Sequence, residues 1–447
     1  MNISEEIAKT IQRIHFDDIP QKTIEKAKVA ILDWLGVTFC GAKDSSSIIL
    51  VDAIKKFSGP KQAMVIGQNF YTDIINASLL NGYFSHVLDY DDIHLGLIGH
   101  PSAPVLPALF ALGEWRHLSG KDLMCSYIIG VEVECMLAEA INPEHYEQGW
   151  HSTATLGHLG AAAGSGKLMG LGEKHFINAL GIAGTTAAGL REVFGSMSKP
   201  FQIGKAASDG LMGAILAEQG ITSAKDILGG KKGIISVMGK ECNTNEIFHN
   251  FGRSWQIDNI IFKKHASCYR THAVIECALS LKEKLNLLQK NIESIESIVC
   301  KIPPLAWDMA KILIPKNKLE GKFSQPFCLA VSLLEGHATE RVFTHKKIKN
   351  NLIIEIMEKT SVQVKKYLKS TEAIVEIKLD DGKIFNKQID TEALTKGSEE
   401  IISEVIEKFK NSITCSKKGC NVEMLIKSVL NLEKTKDLKE IIHQLAF

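Results

Sequence analysis

The chain has 447 residues, of which 45% are apolar and 23% charged, and its formal net charge is +1. That balance belongs to a soluble globular protein with a large core, and the length suggests about two or three domains. The near-neutral charge offers no footing for nucleic acid or an anionic membrane.

The first residues, MNISEEIAKTIQRIHF, carry Glu5 and Glu6 before any apolar run, which is unlike a secretory leader. The longest nearly uncharged apolar stretch, 179–190, is too short for a bilayer span. A cytoplasmic protein is expected, with no membrane and no nucleic-acid partner. The ten cysteines are scattered without a CxxC pair. They read as reduced core residues rather than a disulfide framework or an iron–sulfur set.

Between Pro20 and Ala42 the apolar positions Ile24, Ala27, Ile31, Trp34 and Leu35 recur at helical spacing, and Gly36 and Gly41 are expected to mark the C-terminal end. Residues 104–118 and 121–141 predict two further helices, separated by Ser119-Gly120. Residues 153–171 and 176–190 are rich in Ala and Gly. Small side chains permit close helix packing, so these segments predict the middle of a bundle. Near residue 290 the texture changes. Ile295–Ile302 is β-rich, and 373–379 and 383–389 flank Asp381-Gly382 as a hairpin. Helical patterns at 325–336 and 345–358 lie between, and 398–410 and 421–445 return to helix. The expected fold is mainly α: a large multihelical domain (1–265, completed by C-terminal helices 396–447) with a smaller α+β lid domain (266–395).

Four segments could carry chemistry. Asp89-Tyr90-Asp91-Asp92-Ile93-His94 runs into Gly99-His100-Pro101-Ser102. Histidine is the usual proton carrier near neutral pH, and nearby carboxylates orient and charge it. Pro101 places His100 just before a helix. A capped, solvated loop is the plain alternative, and a magnesium site built on the aspartates fits the spacing poorly. His151, in GWHSTAT, precedes a small-residue helix whose free N–H groups favour an anion. Lys199, before Pro200, lies at a helix boundary and could hold a carboxylate; an exposed lysine is the alternative. HASCYRTH (265–272) falls where the helical region meets the α+β region, and Cys268 reads as a packing residue. Gly164-Ser165-Gly166-Lys167 resembles a P-loop but lacks its first glycine and its Ser/Thr, so no nucleotide site is expected.

Taken together and in order, LDYDDIHLGLIGHPSAPVLPA, GWHSTATLGHLGAAAGSGKLMGL, FGSMSKPFQIGKAASDG, SCYRTHA and KFSQPF resemble the MmgE/PrpD family over nearly the whole chain. That family includes 2-methylcitrate dehydratase, cis-aconitate decarboxylase and iminodisuccinate epimerase. The resemblance implies a helical domain with a lid, a homodimer, and no metal, flavin or nucleotide cofactor. It places the active site on Asp89, His100, His151, Lys199 and His272. His100 would be the principal acid–base group, oriented by Asp89; His272 would be the second proton carrier. Lys199 and His151 would bind substrate carboxylates, while His94, Asp91 and Asp92 would support.

Three positions depart from the family pattern: Ile93 stands where decarboxylase-like members carry Thr, Gln202 where many carry His, and Phe327 where decarboxylase-like members carry Tyr. Each removes a hydroxyl or a titratable ring and weighs against cis-aconitate decarboxylation. GWHSTATLG and FGSMSKP lie nearer the epimerase branch. The expected function is proton transfer next to a carboxylate of a small di- or tricarboxylate, by a lyase (a hydro-lyase or carboxy-lyase). A dicarboxylate epimerase is the alternative, and a non-catalytic binding protein a third.

Overall fold

The computed structural model describes residues 2–239, 251–287, 292–394, 397–414 and 421–444. Cys242, Cys415 and Cys420, and the last residue of the helix expected to end at 445, lie outside them. The longer helices of the first half are α1 (Ile3–Arg13), α2 (Gln21–Gly41), α3 (Ser45–Ile54), α4 (Ile74–Val87), α5 (Ser102–Arg116) and α6 (Gly120–Ile141). After the short α7 (Glu144–Glu147) come α8 (Ser152–Leu168), α9 (Glu173–Thr186) and α10 (Ser198–Glu218). Helices α4, α5, α6, α8, α9 and α10 pack on one another as a bundle. Ser119 caps α6 and shares a reciprocal capping box with Asp122, the physical content of the Ser-Gly punctuation.

The small-residue segments are the packed centre of this bundle, and most of α8 is buried. The P-loop look-alike lies inside α8, where Lys167 Nζ donates to the carbonyls of Ile11 and Ile14 at 2.9 and 2.7 Å. Gly36 does not end α2. It sits mid-helix, and a Cβ there would lie 3.0 Å from the Phe409 ring of the C-terminal helix α13 (Ser398–Thr414). A glycine read as punctuation is a packing contact. Helix α13 therefore folds back onto α2.

The α+β part has a four-stranded sheet of β3 (Ile295–Ile302), β4 (Thr360–Val364), β5 (Glu372–Leu379) and β6 (Ile384–Asp390), in the order β4-β3-β5-β6. The β3–β4 pair is parallel and the others antiparallel, with β5–β6 the hairpin expected around Asp381-Gly382. Buried residues alternate along β5, and α11 (His272–Leu287) covers that face with α12 (Gln325–Glu335) packed beside it. A small hairpin of β1 (Ala63–Val65) and β2 (Phe70–Thr72) precedes α4. Among the described residues no helix is long and apolar enough to cross a membrane.

Candidate active site

Helices α4 and α10 approach backbone to backbone. A Cβ on Gly82 would lie 2.9 Å from Gly204 Cα, and one on Gly204 would lie 2.3 Å from the Leu79 carbonyl. Only glycine fits that crossing. One turn beyond Gly82, His86 therefore meets Lys199 in the first turn of α10, with Nζ 2.8 Å from Nε2. After α4 the chain turns back through Asp89, whose φ of +49° lies in the left-handed region. That conformation is costly for a residue with a Cβ and persists only where its surroundings impose it. Here Lys263 Nζ grips both the carbonyl of Asp89, at 2.6 Å, and its Oδ1, at 2.8 Å. A bridge between His94 and Gly99 then closes the loop, and His100 arrives just before α5 with its N–H on Thr153 Oγ1 at 3.2 Å.

The charged groups interlock. An ammonium can only donate, so His86 Nε2 accepts from Lys199 and its Nδ1–H donates to Asp91 Oδ2, at 2.7 Å. Burial lowers the His86 imidazole to about 4, so it is neutral at physiological pH. His100 stands between two carboxylates: Nδ1 is 3.2 Å from Asp91 Oδ2, without hydrogen-bond alignment, and Nε2 is 3.6 Å from Asp89 Oδ1. Lys199 Nζ is also 3.5 Å from Asp89 Oδ1. Burial opposes the charge of Asp89, but Lys199, Lys263 and His100 outweigh it and hold the carboxyl well below its usual range. His100 and His86 do the same for buried Asp91. His151, just before α8, is held well below the usual histidine range by burial and then by Lys199, His86 and His100. Its Nδ1 has no partner.

Asp89, His100, His151 and Lys199, all expected from the sequence, line one cavity. Tyr146, Cys268, Arg270 and the rings of Phe194 and Phe323 complete much of its wall. His272 is not among the lining residues. It is buried at the start of α11, 4.9 Å from the His265 ring and 5.0 Å from Tyr269, and its Nε2 is unpartnered. Burial, then His265 and Lys263, keep it well below the usual range. Within HASCYRTH it is Cys268, Tyr269 and Arg270 that reach the wall, and burial pushes the Cys268 thiol up, away from a nucleophile's range.

Sequence reasoning missed His86 and Lys263 and ranked Asp91 too low. His86 precedes Asp89 by three residues, at helical spacing from the acidic run, and Lys263 stands two residues before HASCYRTH. Of the supporting residues, His94 lines the cavity but accepts from Leu97 N–H at 3.0 Å, and burial lowers it to about 4. Asp92 is pushed up to about 8 by burial; it accepts from the Ser102 N–H at the start of α5 and bonds the Ser102 hydroxyl. Of the three departures, only Ile93 lines the cavity. Gln202 Nε2 donates to the Leu190 carbonyl, and Phe327 is fully buried against Phe343.

His86, Asp91 and His100 offer three donor atoms within 4.8 Å of one another, a spacing that could hold a metal. The hydrogen bonds already described account for it. With Nε2 accepting from Lys199 and Nδ1 donating to Asp91, His86 has no lone pair left for an ion.

A family model described as the MmgE/PrpD N-terminal domain matches residues 5–246, and one described as the MmgE/PrpD C-terminal domain matches 265–434. The chain is 29% identical over 354 residues to a cis-aconitate decarboxylase of Aspergillus terreus, covering 74% of this chain and 72% of that protein. It is 27% identical over 450 residues to cis-aconitate decarboxylase of Homo sapiens, covering 98% and 93%. A cis-aconitate decarboxylase-like protein of Aspergillus oryzae is 26% identical over 468 residues, covering 99% and 96%.

Proposed function

The chain belongs to the MmgE/PrpD family, and from that premise we propose that it is a lyase that needs no cofactor and breaks a bond beside a carboxylate of a small di- or tricarboxylate. The observation that carries this reading is the His100 imidazole, which lines the cavity with Asp89 and Lys199 and stands between the ionised carboxylates of Asp89 and, behind the wall, Asp91. Breaking a bond next to a carboxylate leaves an electron pair that spreads onto carboxylate oxygens, and cations already in place lower that barrier.

Lys199 binds a substrate carboxylate in this reading. His151, which burial among cations keeps neutral, adds an N–H. In a decarboxylation the C–C bond to a carboxylate breaks, carbon dioxide leaves, and a proton from His100 ends on the carbon that keeps the electron pair; solvent then restores the proton. In a dehydration His100 protonates the departing hydroxyl and a second group removes the carbon-bound proton. His272 was expected in that second role, and its place behind the wall requires it to act through an intervening group. The names of the relatives make cis-aconitate the first substrate to test. Two of the three objections to it concern side chains outside the cavity lining, which favours a lyase over an epimerase.

Two further parts of the proposal concern assembly. Residues 266–395 act as a lid on a helical domain of 1–265 and 396–447; the support is that Cys268, Arg270, Met309 and Phe323, all from that span, join the cavity wall. The enzyme works as a cytoplasmic homodimer, as the family implies, which sedimentation of the purified protein tests.

The deciding experiment is NMR of the purified protein with cis-aconitate, citrate, 2-methylcitrate and iminodisuccinate in deuterated buffer. A lyase yields a new alkene, with carbon dioxide or water released. Deuterium replacing the α-hydrogen of iminodisuccinate with no other bond broken would instead make the protein an epimerase.

A further inference from the structure

Every other cation described around the site has a partner that accounts for it. Lys199 is bound to His86 and faces Asp89, Lys263 grips Asp89, and Lys322 Nζ donates to the carbonyls of Leu88 and Ala266, both at 2.7 Å. Arg191 lies over the Tyr146 ring, 3.9 Å from its centroid, and pairs with Asp308 at 2.5 Å.

Arg270 differs. It lines the cavity and is nine-tenths buried, yet among the described residues its guanidinium makes one hydrogen bond, from Nη1 to the Ser370 carbonyl at 2.9 Å, lies over the Tyr269 ring only at 6.0 Å from the centroid, and pairs with no carboxylate. Burying a charge is costly unless it is paired, and a guanidinium carries five donors in a fork shaped for a carboxylate. Tyr146 lines the same cavity, and its fully buried hydroxyl also has no partner. Arg270 is close enough to act on the charge of that phenol. Among the described residues, the Tyr146 hydroxyl and the Arg270 N–H groups other than the one on Ser370 thus have no acceptor. They share no partner with the Lys199–His86–Asp89 cluster.

We propose that Arg270 and Tyr146 form a second carboxylate subsite, separate from the one at Lys199, so that the cavity selects substrates bearing at least two carboxylates. The guanidinium takes one carboxylate through its free N–H groups, and the Tyr146 hydroxyl donates to the same group. Lys199 takes the carboxylate beside the bond that breaks. This rests on the carboxylate-lyase reading for the chemistry, but its own evidence is the unpaired arginine and tyrosine.

The test separates the two. Tricarballylate, a saturated tricarboxylate, and butyrate, a monocarboxylate, are titrated calorimetrically into the full-length protein and its Arg270→Gln, Arg270→Lys and Tyr146→Phe variants, with thermal melting as the fold control. Arg270→Gln is expected to weaken tricarballylate about 10- to 100-fold and to leave butyrate unchanged. Arg270→Lys recovers part of the loss, and Tyr146→Phe loses roughly five-fold. Equal tricarballylate affinity in wild type and Arg270→Gln overturns the subsite, as does an equal loss for both ligands or no binding of tricarballylate by the wild type. Turnover of cis-aconitate is followed in parallel. Its absence, with the Arg270-dependent preference intact, removes the lyase reading alone; turnover with a KM indifferent to Arg270→Gln removes the subsite alone.

Discussion

Lys199 Nζ donates to His86 Nε2 at 2.8 Å, and this contact sets the tautomer of the ring that holds Asp91. Lys199, His86, Asp91 and His100 thus form a file whose two ends, Lys199 and His100, line the cavity while His86 stays behind it. Replacing His86 by Asn breaks the file. The expected result is a fall in kcat of about 10- to 100-fold with the far-UV circular dichroism unchanged. A stability effect accompanies it. The folded value of about 4 lies below the unfolded 6.5, so the unfolded chain takes up the proton more readily. Wild-type stability therefore falls as pH drops from 6.5 toward 4, and His86→Asn flattens that decline in urea unfolding. The charged groups facing His86 are Asp91, Lys199 and His100, and they stay in place.

His100→Ala removes the proposed acid–base group. Turnover of cis-aconitate, or of whichever polycarboxylate the NMR survey identifies, falls by about 10²–10⁴-fold. Near-normal turnover would take His100 out of this role.

Asp92 and Glu132 run the opposite way with pH. Burial raises both to about 8, so between pH 4 and 8 the folded state holds protons that the unfolded chain has released. Their contribution is greatest in acid and is lost as pH rises. Asp92→Asn and Glu132→Gln carry no such cost, so their melting temperatures gain on wild type between pH 5 and pH 8. A gap that stays constant over that range would contradict the assignment.

Ile93→Thr places a hydroxyl in the cavity wall, and the backbone bridge from residue 93 to Ile261 does not depend on the side chain. An increase of about five-fold in kcat/KM for cis-aconitate is expected. Phe327→Tyr buries a hydroxyl in an apolar cluster instead; it lowers the melting temperature and leaves substrate affinity alone.

Lys263→Met removes the grip on Asp89. Breaking a buried pair by deleting one partner costs about 3–5 kcal/mol, and the left-handed backbone at Asp89 loses the contact that imposes it. Chemical denaturation measures that loss directly.

The long helices, β3 and the β5–β6 hairpin were legible because their periodicities are strong, and β3 was read to its residue limits; the short β1, β2 and β4 were not read, and the helical stretches at 345–358 and 421–445 are each broken in two. Four of the five expected site residues line the cavity, and three of them, His100, His151 and Lys199, were legible because each stands within two residues of a proline or glycine at a helix start. What was not legible depends on partners distant in sequence. Lys263 looks like any lysine until its 174-residue reach to Asp89 is seen. Gly36 reads as a helix end until Phe409 packs on it. His272 shares a motif with Cys268 and Arg270, but spacing alone cannot say which of the three faces inward.

The helix packed on Gly36 also carries Lys408, which pairs with buried Asp33 at 2.7 Å and donates to the carbonyl of Tyr90 at 2.7 Å. The loop bearing Asp89 and Asp91 is thus braced by a residue near the far end of the chain. During synthesis it cannot be completed until residue 408 has left the ribosome. Lys408 is made 318 residues after the Tyr90 carbonyl that it holds.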